Sequence, residues 1–107
     1  MQAEDRKPEY ERLKELTDRN LLHLLDSELN LARTMTELAE TEFELGDEPH
    51  ARGLLDKVQQ ALDTVRHHVS ERPPSRDEMR DIEERLTDLT YRLQMTRQRI
   101  SESSPST

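Results

Sequence analysis

Apolar residues in the last third of the chain recur at alternating spacings of three and four, from Met79 to Ile100. This spacing, about 3.5 residues per turn, is the apolar seam of helices that pack along a narrow stripe. A second seam of the same kind runs from Ala51 to Val69. The two seams predict amphipathic helices packed side by side.

The first predicted helix, residues 9–45, has a wider apolar surface than the other two. Leucines recur every seven residues from Leu24 to Leu45, and we expect this row to lie on the main, core-facing side. Leu22 and Leu29 extend the apolar surface around the helix, so we expect them on the outside. A break within residues 17–20 is an alternative, because Thr17 or Asp18 could cap a new helix.

Two short turns separate the predicted helices, which cover residues 9–45, 48–71 and 76–101. Gly46 can end the first helix in the left-handed conformation, and Asp47 can cap the second. Ser75 and Glu78 have the spacing of a capping box at the start of the third. Short turns make consecutive helices antiparallel, so we predict one all-α domain, an up-down-up three-helix bundle. Residues 1–8 and 102–107 are expected to be disordered.

Charge placement supports this topology independently. The sequence has no basic residue between Arg33 and Arg52, but six acidic ones. The third predicted helix begins with acidic residues and ends with arginines, as the helix dipole favours. An up-down-up bundle would bring those arginines beside the acidic end of the first helix.

The predicted helices differ in length, and the difference leaves part of the first one uncovered. At 1.5 Å per residue they would extend about 55, 34 and 39 Å. Residues 9–20 would then project from the bundle, exposing Tyr10, Leu13 and Leu16. We therefore expect a homodimer whose contact surface is formed by Tyr10, Leu13, Leu16, Leu22 and Leu29.

Leu38-Ala39 is followed by Gly46 seven residues later and by Ala51 five residues after that, and with this spacing residues 38–58 resemble a single tetratricopeptide-repeat hairpin. Leu38-Ala39, Gly46 and Ala51 match the family pattern, whereas Glu42 stands where the family has tyrosine and Val58 where it has a small residue. No second copy of the pattern occurs, although such repeats normally need several copies to bury a core. The resemblance implies a protein-interaction module.

Composition excludes several classes of function. The net charge of −8 argues against nucleic acid and against an anionic membrane surface as partners. No apolar run approaches the 18 to 20 residues, roughly, that a membrane span needs. The chain contains no cysteine, so neither disulfides nor thiolate sites can form. A cytoplasmic protein is the simplest expectation.

Candidate chemistry is sparse. The four histidines lack the spacings of di-iron or zinc-protease helices, and no phosphate loop or nucleophile motif occurs. We therefore expect no enzyme activity, no metal and no cofactor. Glu28 and Glu42 fall on the apolar side of the first helix, where an unpaired carboxylate is costly, so each should pair with an arginine of the third helix. The candidate pairs are Glu28 with Arg85 or Arg92, and Glu42 with Arg97 or Arg99.

Three functional hypotheses follow from these observations. The first is a non-enzymatic interaction or structural module that associates with itself through the first helix. The second is a metal-binding or catalytic bundle that uses the carboxylates Glu28 and Glu42. The third, based only on charge, is an acidic chaperone-like or antitoxin-like binder of a basic protein.

Overall fold

The computed structural model describes residues 2–103, with side chains for residue 9 and residues 11–103. In this range the chain forms three α-helices: α1 (Gln2–Glu44), α2 (Glu48–Glu71) and α3 (Arg76–Ser103). α1 begins before the expected residue 9, and it continues without a break through residues 17–20. The hydroxyl of Thr17 donates to the carbonyl of Leu13 at 2.9 Å, so Thr17 lies inside a helix and caps none.

Ion pairs between the helices confirm the up-down-up order. Arg72, just after α2, contacts Asp18 near the start of the bundle at 3.1 Å. His50 at the other end of α2 lies 3.4 Å from Glu42, so α1 and α2 are antiparallel. α3 runs parallel to α1, because its contacts with α1 advance in the same direction along both helices. Those contacts are Arg85 with Asp26 and Arg92 with Glu40, both at 2.7 Å.

Both turns use the predicted caps. Gly46 has φ +90°, the left-handed conformation that ends α1. The backbone N–H of His50 donates to the side chain of Asp47 at 3.2 Å, which caps α2. Ser75 and Glu78 form the capping box: each backbone N–H donates to the other's side chain at 3.3 Å. Local sequence therefore fixes where α2 and α3 begin.

The core is a column of aliphatic side chains between the three helices. Both predicted seams are buried, that of α2 from Ala51 to Val69 and that of α3 from Ile82 to Ile100. Alanines at positions 32, 39 and 51 are fully buried, and their size lets the backbones of α1 and α2 approach closely. Each fully buried leucine contributes about 1.5–3 kcal/mol to the free energy of unfolding.

The molecule is a rod of 76 × 21 × 19 Å, because α1 is much longer than its partners. α1 is covered from about Asp18 onward, so the projecting segment ends near residue 17 and is slightly shorter than the expected 9–20. Within the described range, no helix is both long and apolar enough to cross a membrane.

Candidate interaction surface

The outward side of α1 carries the largest exposed apolar feature of the described chain, a row of four leucines at intervals of seven residues. Leu24, Leu31, Leu38 and Leu45 are 44%, 51%, 42% and 75% exposed, respectively. We call these four residues the leucine row. The expectation that they face the core is therefore wrong.

The core side of α1 is shifted away from the leucine row toward Leu25, Ala32 and Ala39, which the sequence places on the same apolar side and which are buried. Leu29 is buried and Leu22 packs against the core cluster, so neither belongs to an outer surface. Polar neighbours mark the side of α1 that faces α3. Asp26 and Asn30 both accept hydrogen bonds from Arg85 of α3, so they lie on that side. Residues two positions apart point about 200° apart, so Leu24, two residues before Asp26, faces away from α3.

The projecting end of α1 adds to this surface. Leu13 and Leu16 are exposed, as the sequence predicts. Leu13 precedes Leu24 by eleven residues, close to three full turns, so it extends the leucine row along the same side of α1. The side chain of Tyr10 lies outside the described residues.

Glu28 and Glu42 are half-buried on α1, as expected, but the predicted partners are wrong. Within the described residues, Glu28 has no ion pair, and Glu42 contacts His50 at the turn rather than an arginine of α3. Arg99 instead lies over the ring of Phe43, 5.4 Å from its centroid. The contact with His50 places Glu42 on the side of α1 that faces α2, and Glu28, fourteen residues or nearly four turns earlier, lies on the same side of the helix.

The arginines named from the sequence do hold the bundle together, through other acidic residues. Arg92 donates to Glu40 at 2.7 Å, and this partly buried hydrogen bond raises the pKa of Arg92 above its ordinary value. Arg97 contacts Asp56 and Gln59 of α2, both at 3.2 Å. The expected meeting of the arginines with the acidic end of α1 is thus confirmed at Glu40.

One cluster in the described range could hold a metal ion. Ligand atoms of Glu42, Asp47 and His50 lie within 4.8 Å of one another at the first turn. Asp47 already caps α2 with one carboxylate oxygen, and Nδ1 of His50 lies 3.4 Å from Glu42. These contacts tie the end of α1 to the start of α2. Glu28 takes no part, because it lies fourteen residues, or about 21 Å, before Glu42 along α1.

A smaller apolar patch lies on α3. Tyr91 and Met95 are both exposed, one turn apart on the side of α3 that faces solvent. The sequence allowed such a patch or, alternatively, cover for the side of α1, and the exposure of both residues favours the patch. This patch on α3 contains two exposed side chains, whereas the leucine row contains four.

An all-α three-helix bundle with an exposed leucine row is therefore the class that fold and surface define. Comparison of the chain with protein-family models, curated proteins and solved structures gave no match. The period of seven in the sequence marks the leucine row, but a period alone does not show which of two adjacent apolar stripes faces the core.

Proposed function

We propose that this protein is a non-enzymatic interaction module that associates with itself through the leucine row of α1. The supporting observation is the regular exposure of Leu24, Leu31, Leu38 and Leu45 on a helix whose other apolar stripe is already buried. Burying the exposed half of each leucine against a partner would contribute on the order of 1 kcal/mol per side chain. An interaction module is also what the tetratricopeptide-like hairpin implies.

A second copy of the chain is the partner that fits this surface best. The row of residues beside the leucines, on the side away from α2, is small and uncharged: Asn20, Ser27, Thr34 and Thr41. The hydroxyls of Thr34 and Thr41 each donate to the carbonyl four residues earlier at 3.0 Å, so they need no partner outside the helix. This flank carries no charged side chain, so another leucine row would pair apolar surface with apolar surface along it.

Light scattering on the full-length protein tests the proposal. We expect a dimer at about 100 µM, the concentration at which an association worth ~5.5 kcal/mol is half complete. The double variant Leu31→Glu/Leu38→Glu should be monomeric with an unchanged helical circular dichroism spectrum, since both positions are exposed in the monomer.

The patch on α3 supplies the matched control. The double variant Tyr91→Glu/Met95→Glu adds the same charge to the other exposed apolar surface and should remain dimeric. A monomeric wild-type protein at ~100 µM would overturn the proposal, and so would loss of the dimer in the α3 variant alone.

The projecting end of α1 allows a further test. Leu13→Glu/Leu16→Glu should weaken the dimer less than Leu31→Glu/Leu38→Glu, because contact at the middle of the row is protected from water on both sides. If the order is reversed, the projecting end is the main contact surface, as the helix lengths alone suggested. The proposal includes a cytoplasmic location, which the absence of cysteine favours.

A further inference from the structure

We propose that the two copies pair with their α1 helices antiparallel, which rests on the self-association proposed above. The leucine row is one half of a longer seam with alternating spacings of three and four. The other half consists of Leu21, Glu28, Met35 and Glu42, all half-buried between the leucine row and α2. We call the eight positions from Leu21 to Leu45 the outer seam.

The two carboxylates of the outer seam distinguish the possible orientations. In a parallel pair in register, each seam residue faces its own copy, so Glu28 would meet Glu28 and Glu42 would meet Glu42. Like charges in one layer of apolar side chains repel strongly, because little water screens them. Glu28 has no ion pair within the described residues that could relieve this repulsion.

An antiparallel pair removes both of these contacts. The two halves of the seam then face each other, and the register with complete overlap places Leu24 opposite Glu42 and Leu38 opposite Glu28. Leu31 lies opposite Met35, and Leu21 opposite Leu45. Each carboxylate faces a leucine, along which its aliphatic part can pack while its charged end reaches water at the edge of the seam.

The overall charge distribution favours the same orientation. The six acidic residues between Arg33 and Arg52 lie at one end of the bundle. A parallel pair would bring these two ends together. An antiparallel pair in this register separates the centres of the two acidic segments by about 30 Å, which is more than three screening lengths at physiological salt.

The sides of the outer seam fit an antiparallel pair as well. In this orientation the uncharged row of Asn20, Ser27, Thr34 and Thr41 faces the same row of the partner, so no charge is buried there. The two-fold axis crosses the helices, which places α2 of both copies on one side. Along the middle of α2 the exposed edge away from α3 consists of Gly53, Lys57, Gln60 and Thr64, none of them acidic, and Glu71 continues this edge at the end of the helix.

Disulfide trapping tests the orientation without interference, because the chain contains no cysteine. Ser27→Cys and Thr41→Cys are prepared separately, mixed and oxidised in a glutathione buffer. In the antiparallel pair position 27 of one copy lies within about two residues of position 41 of the other, so mixed disulfides should predominate, and intact mass distinguishes them. Leu24→Cys alone should not cross-link, because its copies lie eighteen residues, or about 27 Å, apart along the pair.

The outcomes separate this inference from the proposal on which it rests. A monomer in light scattering would overturn the self-association itself. A dimer in which Leu24→Cys cross-links efficiently, while the Ser27→Cys and Thr41→Cys mixture gives no mixed disulfide, would keep the self-association and overturn the antiparallel orientation. Gln94→Cys on the exposed side of α3 measures the background of random cross-linking.

Discussion

Leu29 and Leu31 lie two residues apart on α1, yet Leu29 is 1% exposed and Leu31 is 51% exposed. The two side chains belong to different apolar stripes of one helix. The inner stripe packs against α2 and α3, and the outer one faces solvent. Stability and association should therefore depend on different residues of α1.

A matched pair of alanine variants measures this difference. Leu29→Ala should lower the free energy of unfolding by about 2–5 kcal/mol, because it leaves a cavity in the core. Leu31→Ala should change it by less than about 1 kcal/mol. Urea denaturation should be followed at a dilution where the wild-type protein is monomeric. Equal losses in the two variants would mean that the outer stripe is also buried in the monomer.

The two glycines should respond to alanine in opposite directions. Gly46 has φ +90°, so Gly46→Ala should lower the free energy of unfolding by about 1 kcal/mol through backbone strain. Gly53 lies inside α2 with nothing within 4 Å of the added methyl group, so Gly53→Ala should raise it by roughly 0.5–1 kcal/mol. Thermal denaturation at low protein concentration shows whether each variant is more or less stable than the wild-type protein. A gain in stability from Gly46→Ala would contradict the assigned turn.

Removing the caps should destabilise the bundle at its turns. We expect Asp47→Ala and Ser75→Ala each to lower the free energy of unfolding by about 1 kcal/mol, because each leaves a backbone N–H at a helix start without its acceptor. Ser70→Ala is the control, since this serine is exposed in the last turns of α2 and caps no helix start. If Ser70→Ala lowers the free energy of unfolding as much as Asp47→Ala and Ser75→Ala do, the loss of stability is not due to capping.

The hydrogen bond between Arg92 and Glu40 should show a measurable coupling. Arg92→Gln and Glu40→Gln, measured singly and together in a double-mutant cycle, should give a coupling of about 0.5–1 kcal/mol, because the pair is partly buried. The coupling should shrink in 1 M salt. The exposed pair of Arg66 with Asp63 is the comparison, and we expect it to couple less strongly.

Salt should strengthen the proposed dimer. Each copy carries a net charge of −8, so two copies repel each other at long range, whereas the contact itself is apolar. We expect the dissociation constant from sedimentation equilibrium to fall when NaCl is raised from about 10 to 150 mM, since the screening length shortens from roughly 30 to 8 Å. A dissociation constant that rises with salt would indicate a contact made by ion pairs.

The sequence was sufficient to predict three helices, both turns and the direction of each helix. The signals for these features are local: Gly46, Asp47 and the capping box of Ser75 act within a few residues. The orientation of α1 about its own axis was predicted incorrectly, because it depends on contacts with α3 such as that of Arg85 with Asp26. Residues 59 positions apart in sequence meet there, and one sequence gives little information about such pairs.

The leucine row illustrates the same limit at the proposed interaction surface. Its period was visible in the sequence, but two apolar stripes lie side by side on α1, and hydrophobicity alone favours burial of the one richer in leucine. The stripe that is buried instead contains Ala32 and Ala39, whose small side chains are completely inaccessible to solvent. Which apolar stripe of α1 is exposed can therefore be assigned only when the packing of α1 against the other helices is known.

Both turns of the bundle are short and capped by residues within the turn itself, and this determines whether folding or dimer formation comes first. Neighbouring helices can meet as soon as each turn forms, so most contacts close small loops, and helical domains of this kind fold in microseconds to milliseconds. Encounter of two copies at micromolar concentration, with typical association rate constants of about 10⁵–10⁷ M⁻¹s⁻¹, takes longer. Each chain should therefore complete its fold before it meets its partner, and dimer formation should follow second-order kinetics.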